Sequence, residues 1–485
     1  MSSEKEKFNL TNWEIVSVNP VDKNWDWKDM FCFWSVGIQS IMSFALIASL
    51  YFVYNLNFYE VLFGSLLASM LVSYLSYIIG KPSQKHGVPF PVFLRVSSGY
   101  QGARFISLIR GVVGIFFFGV QTYFISKSIG YLIRISLFKI DSELLNNDIF
   151  FNYFMTMNLI DWVSFVFTIL IQYFLFSRGQ KFIRNFINFS ALFVYLGLLL
   201  FFVILIADPE LFVMDSFIDK INLENGFTNF KLKNMIGITG TLFAYFSILI
   251  MNFGDYSRYV KSSQELLKGN LSLVLSTIIY SFILLVIVIG ADVFFKSSLI
   301  STQDLLTNPT DIVGKINNTY ITVSVLIFIL FASSSTNLIA NYFPSQNILL
   351  NLLPNSLSLK SSGLLIILFG FLVGILWTPF FSQNGSMSII DTLSAFFGPI
   401  VGVMIFDYYI VKNKVVINKD LFSARNDSAY MYSAGWHIKA YYSFFIGFIF
   451  SSASIWNSKF MFLDTFSFII GFITAGITYY LLASD

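Results

Sequence analysis

The stretch Phe331–Asn347, FASSSTNLIANYFPSQN, sets Ser335, Thr336, Asn337 and Asn341 inside a long apolar run, 322–353. Hydrocarbon penalises hydroxyl and amide groups, so such side chains face a packed interior or a wet cavity. Hydroxyl oxygens with main-chain carbonyls suit a small hard cation. A carboxamide both donates and accepts, which suits a polar solute. Asn337 and Asn341 are four apart and share a helix face. Gln121 stands alone among phenylalanines in IFFFGVQTYF and needs a partner or water. Phe117 lies one turn earlier on the same face. A ring beside an amide makes a wall for a flat heterocycle: the ring stacks and the amide bonds the edge. The alternative is a polar helix–helix seam of the kind common in membrane bundles. On these residues alone both readings stand.

The elements that carry them are membrane spans. The chain has 485 residues, of which 56% are hydrophobic and 12% charged, with a mean hydropathy of +0.71. That is the composition of an all-α, polytopic membrane protein in contact with a lipid bilayer. A net charge of +3 is too small to imply a nucleic acid partner. One cysteine, Cys32, excludes an intrachain disulfide or a thiolate cluster, and His86 and His437 are too far apart in sequence to suggest a metal pair. No cofactor is implied, and a monomer is the expectation.

At about 20 residues per span, twelve segments are long enough: 31–53, 58–79, 106–136, 157–176, 187–207, 235–253, 271–295, 320–350, 363–378, 387–411, 438–456 and 461–482. Residues 1–30 read as a solvated tail without a signal peptide. Basic residues gather in alternate loops: Lys81, Lys85, Arg95 and Arg104; Arg178, Lys181 and Arg184; Arg258, Lys261 and Lys268; Lys412, Lys414, Lys419 and Arg425. The opposite loops carry mostly acids, such as Asp141, Glu143, Asp208 and Glu210. The positive-inside rule then predicts a cell-membrane protein with both termini in the cytoplasm.

Two spans look interrupted. The first carries Ser35, Gly37, Gln39, Ser40 and Ser43 at mid-depth, and the sixth carries Gly237, Gly240, Thr241 and Ser247. They are the first members of two five-span halves, about 31–207 and 235–412, with 413–485 left as a loop and two further spans. Breaks at matching positions point to a midplane site built from discontinuous helices. Small-residue packing grooves are the other reading. Asp255 and Arg258 read as a surface or gate pair at the end of the sixth span. No span core holds an unambiguous acid or lysine, which favours a neutral-oxygen cation site over a carboxylate proton carrier.

The segments GVPFPVFLRVSSGYQGAR (Gly87–Arg104), FFGVQT (Phe117–Thr122), NFGDYSRYVKS (Asn252–Ser262), SSTNLIAN (Ser334–Asn341) and FGPIVGVMIFDYYIVKN (Phe397–Asn413) together resemble the nucleobase–cation symporters. That family includes the sodium–hydantoin permease, and order and spacing match over roughly 12–412. The resemblance implies a leucine-transporter-like fold: a five-plus-five inverted repeat with two extra C-terminal spans, working by alternating access. Carried over residue by residue, Ser335 and Thr336 match the cation hydroxyls and Ala332 a carbonyl ligand. Val36 and Gln39 match carbonyl ligands of the first span. Gln121 and Asn341 match solute amides, with Asn337 beside them. Ser40 faces the solute in one register, and Gln39 in a register slid by one. Where the hydantoin permease stacks its ligand between two tryptophans, this sequence has Phe117 and Phe246, the latter preceded by Tyr245. Phenylalanine stacks with less area and no indole N–H.

The expectation is a secondary transporter, not an enzyme. It would import a nucleobase or related heterocycle of hydantoin or allantoin type with a cation, sodium being favoured by the Ser335–Thr336 pair. The alternatives are proton-coupled import of a related solute, such as a pyridine or thiamine-type vitamin, and, in another class, a channel or membrane receptor.

Overall fold

The computed structural model describes residues 13–52, 56–146, 148–207, 218–219, 221, 230–297, 318–381, 386–457 and 459–483. Among them, eleven helices are long and apolar enough to cross a membrane, and a bent pair, Trp27–Ile38 with Ile41–Tyr51, supplies a twelfth span. The second to seventh run Phe58–His86, Tyr100–Ile140, Leu159–Phe176, Gln180–Val203, Leu232–Met251 and Ser263–Gly290. The eighth to twelfth run Thr319–Leu352, Leu359–Phe380, Thr392–Val411, Ile438–Trp456 and Leu463–Ala483. Every expected span is present. The third is longer than expected because its polar ends continue as helix beyond the apolar stretch.

Several starts are written locally. Asp26 with Asp29, Asn57 with Glu60, Asn158 with Asp161 and Ser358 with Ser361 each form a capping box, so the first backbone N–H groups are satisfied where lipid could not serve them. Glu60 does more: its carboxylate accepts from the Lys231 amide at 2.6 Å and from Asn234, tying the second span to the start of the sixth. Gly87, at φ +71, ends the second span in the left-handed conformation that a side chain resists.

The first span packs on the seventh and the sixth packs on the second, so each half lends its first helix to the other half's second. The third lies against the eighth and ninth, and the eleventh and twelfth pack on the tenth. Close approach needs small residues where lipid gives no hydrophobic drive. A Cβ on Gly119 would lie 2.3 Å from the Gly370 carbonyl oxygen, which fixes how tightly the third and ninth can meet.

Two sequence expectations change here. The tail is not solvated throughout: Asn19–Asp22 are exposed, but Ile15 and Trp25 are buried on the body. Trp25 is buried, its amide donates to the Tyr259 carbonyl at 3.0 Å, and its carbonyl accepts from Lys261 at 2.9 Å. The first helix begins at Trp27, and Asp29 is held by Arg184 at 2.7 Å and by Asn188 at 2.6 Å. Buried partners for Trp25 and Asp29 outweigh the polarity of the stretch. Residues 1–12 lie outside the described residues. The second change is the sixth span, which is one unbroken helix, Leu232–Met251. A Cβ on Gly240 would lie 2.6 Å from Thr465 Oγ1, so this glycine makes a packing groove and not a break.

Candidate solute and cation site

The first span breaks at Gln39–Ser40, its halves meeting at 60°. A helix ending at Ile38 leaves its last carbonyls without intrahelical donors, and hydrocarbon offers none. Side chains supply them. Thr336 Oγ1 donates to the Val36 carbonyl at 2.6 Å, the Tyr245 hydroxyl to the Gly37 carbonyl at 3.0 Å, and Ser43 Oγ to the Ile38 carbonyl. Those donors come from the eighth span, the sixth span and the outer half of the first. The break is therefore the knot that joins them.

Four of the expected cation ligands gather at this knot. Thr336 Oγ1 lies 2.9 Å from the Ala332 carbonyl oxygen as well as 2.6 Å from that of Val36, and Ser335 Oγ lies 3.0 Å from that of Ala332. The oxygens are neutral and hydrogen-bonded to one another, a donor set whose chemistry suits a small hard monovalent cation. A divalent ion would ask for carboxylates. Among the described residues no three His, Cys, Asp or Glu side chains cluster. Gln39 borders the group at the break, where its amide N–H is bonded back to Ser35 at 3.0 Å.

Past Thr336 the eighth span makes one wide turn, Leu338–Tyr342, with i to i+5 bonding. Such a turn shifts register and is found often at functional sites. Here two of its carbonyls are taken up by side chains: Tyr256 donates to Ile339 at 2.8 Å and Arg110 Nη2 donates to Ala340 at 2.9 Å. The turn aims Asn341 at the third span. Asn341 Nδ2 donates to Gln121 Oε1 at 3.1 Å and to Asn337 Oδ1 at 2.9 Å, and Gln121 Nε2 donates to the Ser333 carbonyl at 3.1 Å. Asn337 is anchored in turn on the Phe118 carbonyl and on Thr122, which bonds Gln172 at 2.7 Å.

Beside this amide chain lies a small cavity of about 40 Å³. Ser40, Phe117, Gln121, Tyr245, Thr336 and Asn341 line it, with Met42, Ile248, Leu249 and Ala340 supplying apolar wall. Thr336 thus belongs to both the oxygen group and the cavity. Three expected residues sit elsewhere. Phe246 packs edge-on to Trp34, with ring centroids 6.3 Å apart, and does not line the cavity. Asn337 stands behind Asn341. Gln39 lines a different cavity, which Ser40 also borders. The apolar wall carried no chemical signal in the sequence, although Ile248 and Leu249 lie one turn from Tyr245.

Past the end of the sixth span, Asp255 and Arg258 are fully buried, which removes the surface reading of the pair and leaves the gate reading open. The Asp255 carboxylate accepts from the Phe90 amide at 3.1 Å and from Asn252 at 3.1 Å; Arg258 donates to the Glu14 carbonyl and to the Tyr259 hydroxyl. Burial pushes the Asp255 carboxyl up to about 6, against the pull of Arg258 and of its hydrogen bonds. Arg110, which the sequence reading passed over, is also fully buried, and its Nε and Nη1 have no hydrogen-bond partner.

The model of the family described as permease for cytosine/purines, uracil, thiamine, allantoin matches residues 17–477. The chain is 23% identical to the allantoin permease of Bacillus subtilis (strain 168), over 99% of this chain and 94% of that one. It is also 23% identical to the purine-uracil permease NCS1 of Arabidopsis thaliana, over 98% and 78% respectively. Among solved structures it is similar to Mhp1, a nucleobase-cation-symport-1 family transporter in a closed conformation with bromovinylhydantoin bound. There the TM-score is 0.73 at 15% identity, covering 98% of this chain and 95% of that one. That likeness makes the fold leucine-transporter-like, as the motifs implied. The chain belongs to the family of permeases for cytosine/purines, uracil, thiamine and allantoin, and is a multi-pass membrane transporter, not an enzyme.

Proposed function

We propose that this permease imports a planar nitrogen heterocycle of nucleobase, hydantoin or allantoin type together with a cation, sodium in the first instance, with both termini in the cytoplasm. The observation that carries the reading is the sharing of Thr336 between the oxygen group and the cavity. A cation held by the carbonyls of Val36, Gln39 and Ala332 and the hydroxyls of Ser335 and Thr336 would fix the broken first span against the eighth. That fixing places Ser40 and Tyr245 on one wall of the cavity and Asn341 and Gln121 on the other. Gln121 and Asn341 now bond each other; a solute presenting a carbonyl beside an N–H can exchange that bond for two of its own at little net cost. Phe117 gives its ring a face to stack on. Cation and solute favour the same closed state, and that linkage is what couples them. The halves then rock about the site to release both inside.

The test is uptake into proteoliposomes of labelled purines, pyrimidines, hydantoins, allantoin and pyridine vitamins, with sodium and proton gradients imposed separately. Accumulation of one heterocycle driven by a sodium gradient supports the reading. Accumulation driven only by protons transfers the coupling to the proton alternative, and passage without accumulation leaves a channel.

A further inference from the structure

The second and seventh spans pack on each other, yet their outward edges leave a groove of about 470 Å³ between them. Met70, Ser73, Tyr74 and Tyr77 belong to one wall, Leu271 and Leu275 to the other, and none of the lining residues is acidic. Ser73 is buried and forms the floor, while Tyr74, Leu271 and Leu275 are exposed and form the rims. On the second span, positions 70, 73, 74, 77 and 81 fall on one helix face, so the stripe runs on past the groove to Lys81. Lys81 sets its Nζ 5.4 Å from the centre of the Tyr77 ring. From the end of the tenth span, Tyr409 donates to the Ile78 carbonyl at 2.9 Å, and Lys414 Nζ stands 5.7 Å from the Tyr409 ring. Lys81 and Lys414 thus collect with these tyrosines at one end of the groove. Among the described residues neither lysine has an acidic partner, whereas Lys268 is paired with Glu265 at 3.7 Å.

The depth of the groove narrows what fits it. Counted from Phe58 at 1.5 Å per residue, a hydrocarbon core of about 30 Å ends near Tyr77. Met70 then lies close to the midplane, about 10 Å from Tyr77 along the helix, and Lys81 lies one turn beyond the boundary, among headgroups. The groove therefore covers most of one leaflet. Tyrosines at the boundary with lysines reaching past it are common where spans meet the interface. Here they cap a concave apolar wall, and their positive charge is unpaired. We propose that the groove binds one anionic glycerophospholipid, an acyl chain laid from Tyr77 to Met70 and the phosphate held between Lys81 and Lys414. A phosphate diester accepts from both ammonium groups, and each bond is charge-assisted. A zwitterionic lipid brings a cation of its own to the same place and loses much of that gain. Because the chain of the lipid touches both spans, its binding also ties the second span to the seventh.

The experiment uses the full chain, purified in neutral detergent and stripped of lipid. The probe is palmitoyl-oleoyl phosphatidylglycerol, and the phosphatidylcholine with the same chains is the control. Native mass spectrometry counts bound lipid, and melting curves in detergent read its effect on stability. One phosphatidylglycerol should bind with an affinity about 10-fold above that of phosphatidylcholine, and it should raise the melting temperature. Lys81→Gln with Lys414→Gln should bring phosphatidylglycerol down to the phosphatidylcholine level. Lys360→Gln with Lys439→Gln removes the same charge from exposed positions away from the groove and should change nothing. Val274→Trp, which fills the groove and keeps both lysines, should remove the bound lipid. Equal retention of the two lipids by the parent, equal losses in the two double variants, or undiminished binding in Val274→Trp would each overturn the proposal and leave only an unselective lipid annulus. A dimer that forms in place of the lipid complex and is lost in Val274→Trp would also overturn it, since the groove would then seat a second copy of the chain. None of these readouts uses transport, so this proposal and the transport reading fail separately.

Discussion

The layer around Gln39–Ser40 and the layer at the terminal face both bury polar side chains, but with opposite chemistry. At mid-depth the groups are hydroxyls, amides and main-chain carbonyls, bonded in chains whose members can change partner: Asn341 to Gln121, Thr336 to Val36, Tyr245 to Gly37. At the terminal face they are charges with fixed partners. Asp407 accepts from Lys412 at 2.8 Å and from Tyr479 at 2.6 Å, and Lys412 also donates to the Val96 carbonyl at 2.6 Å. Arg95 is buried on the Leu421 carbonyl and the Asn351 amide. Neutral bonds are cheap to exchange, whereas a buried charge stripped of its partner is expensive. The difference separates the layers: the charged one ties the spans together through buried ion pairs, and the neutral one is held by hydrogen bonds that cost less to exchange.

The sharpest way to break that comparison is at the buckle. Lys412→Met leaves Asp407, which is 1% exposed at its side chain, without its cation. A loss of about 3–5 kcal/mol is expected, seen as poor folded yield and early unfolding in detergent. Asp407→Asn added to it should recover part of that loss. A single variant as stable as the parent would mean the charges are not structural. Next comes Asn341→Ala at mid-depth. Stability should fall by only about 1 kcal/mol, the worth of a neutral hydrogen bond, while saturable uptake disappears. Normal uptake in a folded Asn341→Ala protein would remove the site assignment.

The same contrast explains what could be read from residues alone. Span number, the first-span break and the amide cluster were legible, because a polar group in a twenty-residue apolar run has few places to go. The wide turn Leu338–Tyr342 was not, since Pro344 stands two residues beyond it and nothing inside it departs from ordinary helix composition. Docking of Trp25 and burial of Arg110 were missed, and Asp255 with Arg258 was left open between surface and gate, for another reason. Their partners lie far off in sequence: Trp25 meets Tyr259, Asp255 meets Phe90, and Arg110 meets Ala340. Gly240 looked like a helix breaker because a glycine signals both a break and a groove, and only Thr465, from the twelfth span, decides between them.

A smaller effect separates the two functions inside the neutral layer. Thr336→Ala removes one hydroxyl from the oxygen group and frees the Val36 carbonyl. The half-saturating sodium concentration should rise about 10-fold, one lost ligand interaction of about 1.4 kcal/mol, while the ranking of solutes stays the same. Thr336→Ser, which keeps the oxygen, should restore most of the cation response. An unchanged sodium titration in Thr336→Ala would detach the hydroxyl from the cation.

The smallest effect tests whether Asp255 belongs to the fixed layer. Its carboxyl is raised from 3.8 to about 6, chiefly by burial. Below pH 3.8 the folded and unfolded chains both hold the proton, so the group contributes no pH dependence. Between about 4 and 6 the folded chain keeps a proton that the unfolded chain has lost, and stability therefore falls as pH rises through that window. Above about 6 the carboxylate is ionised in both states and the penalty is complete. Asp255→Asn carries no such proton while its side-chain oxygen can still accept from the Phe90 amide. The parent's melting temperature should thus drop by a few degrees relative to Asp255→Asn between pH 4 and pH 7. Parallel curves would mean that Asp255 ionises as freely as a solvated acid, and that the terminal face opens to water in the lipid-embedded protein.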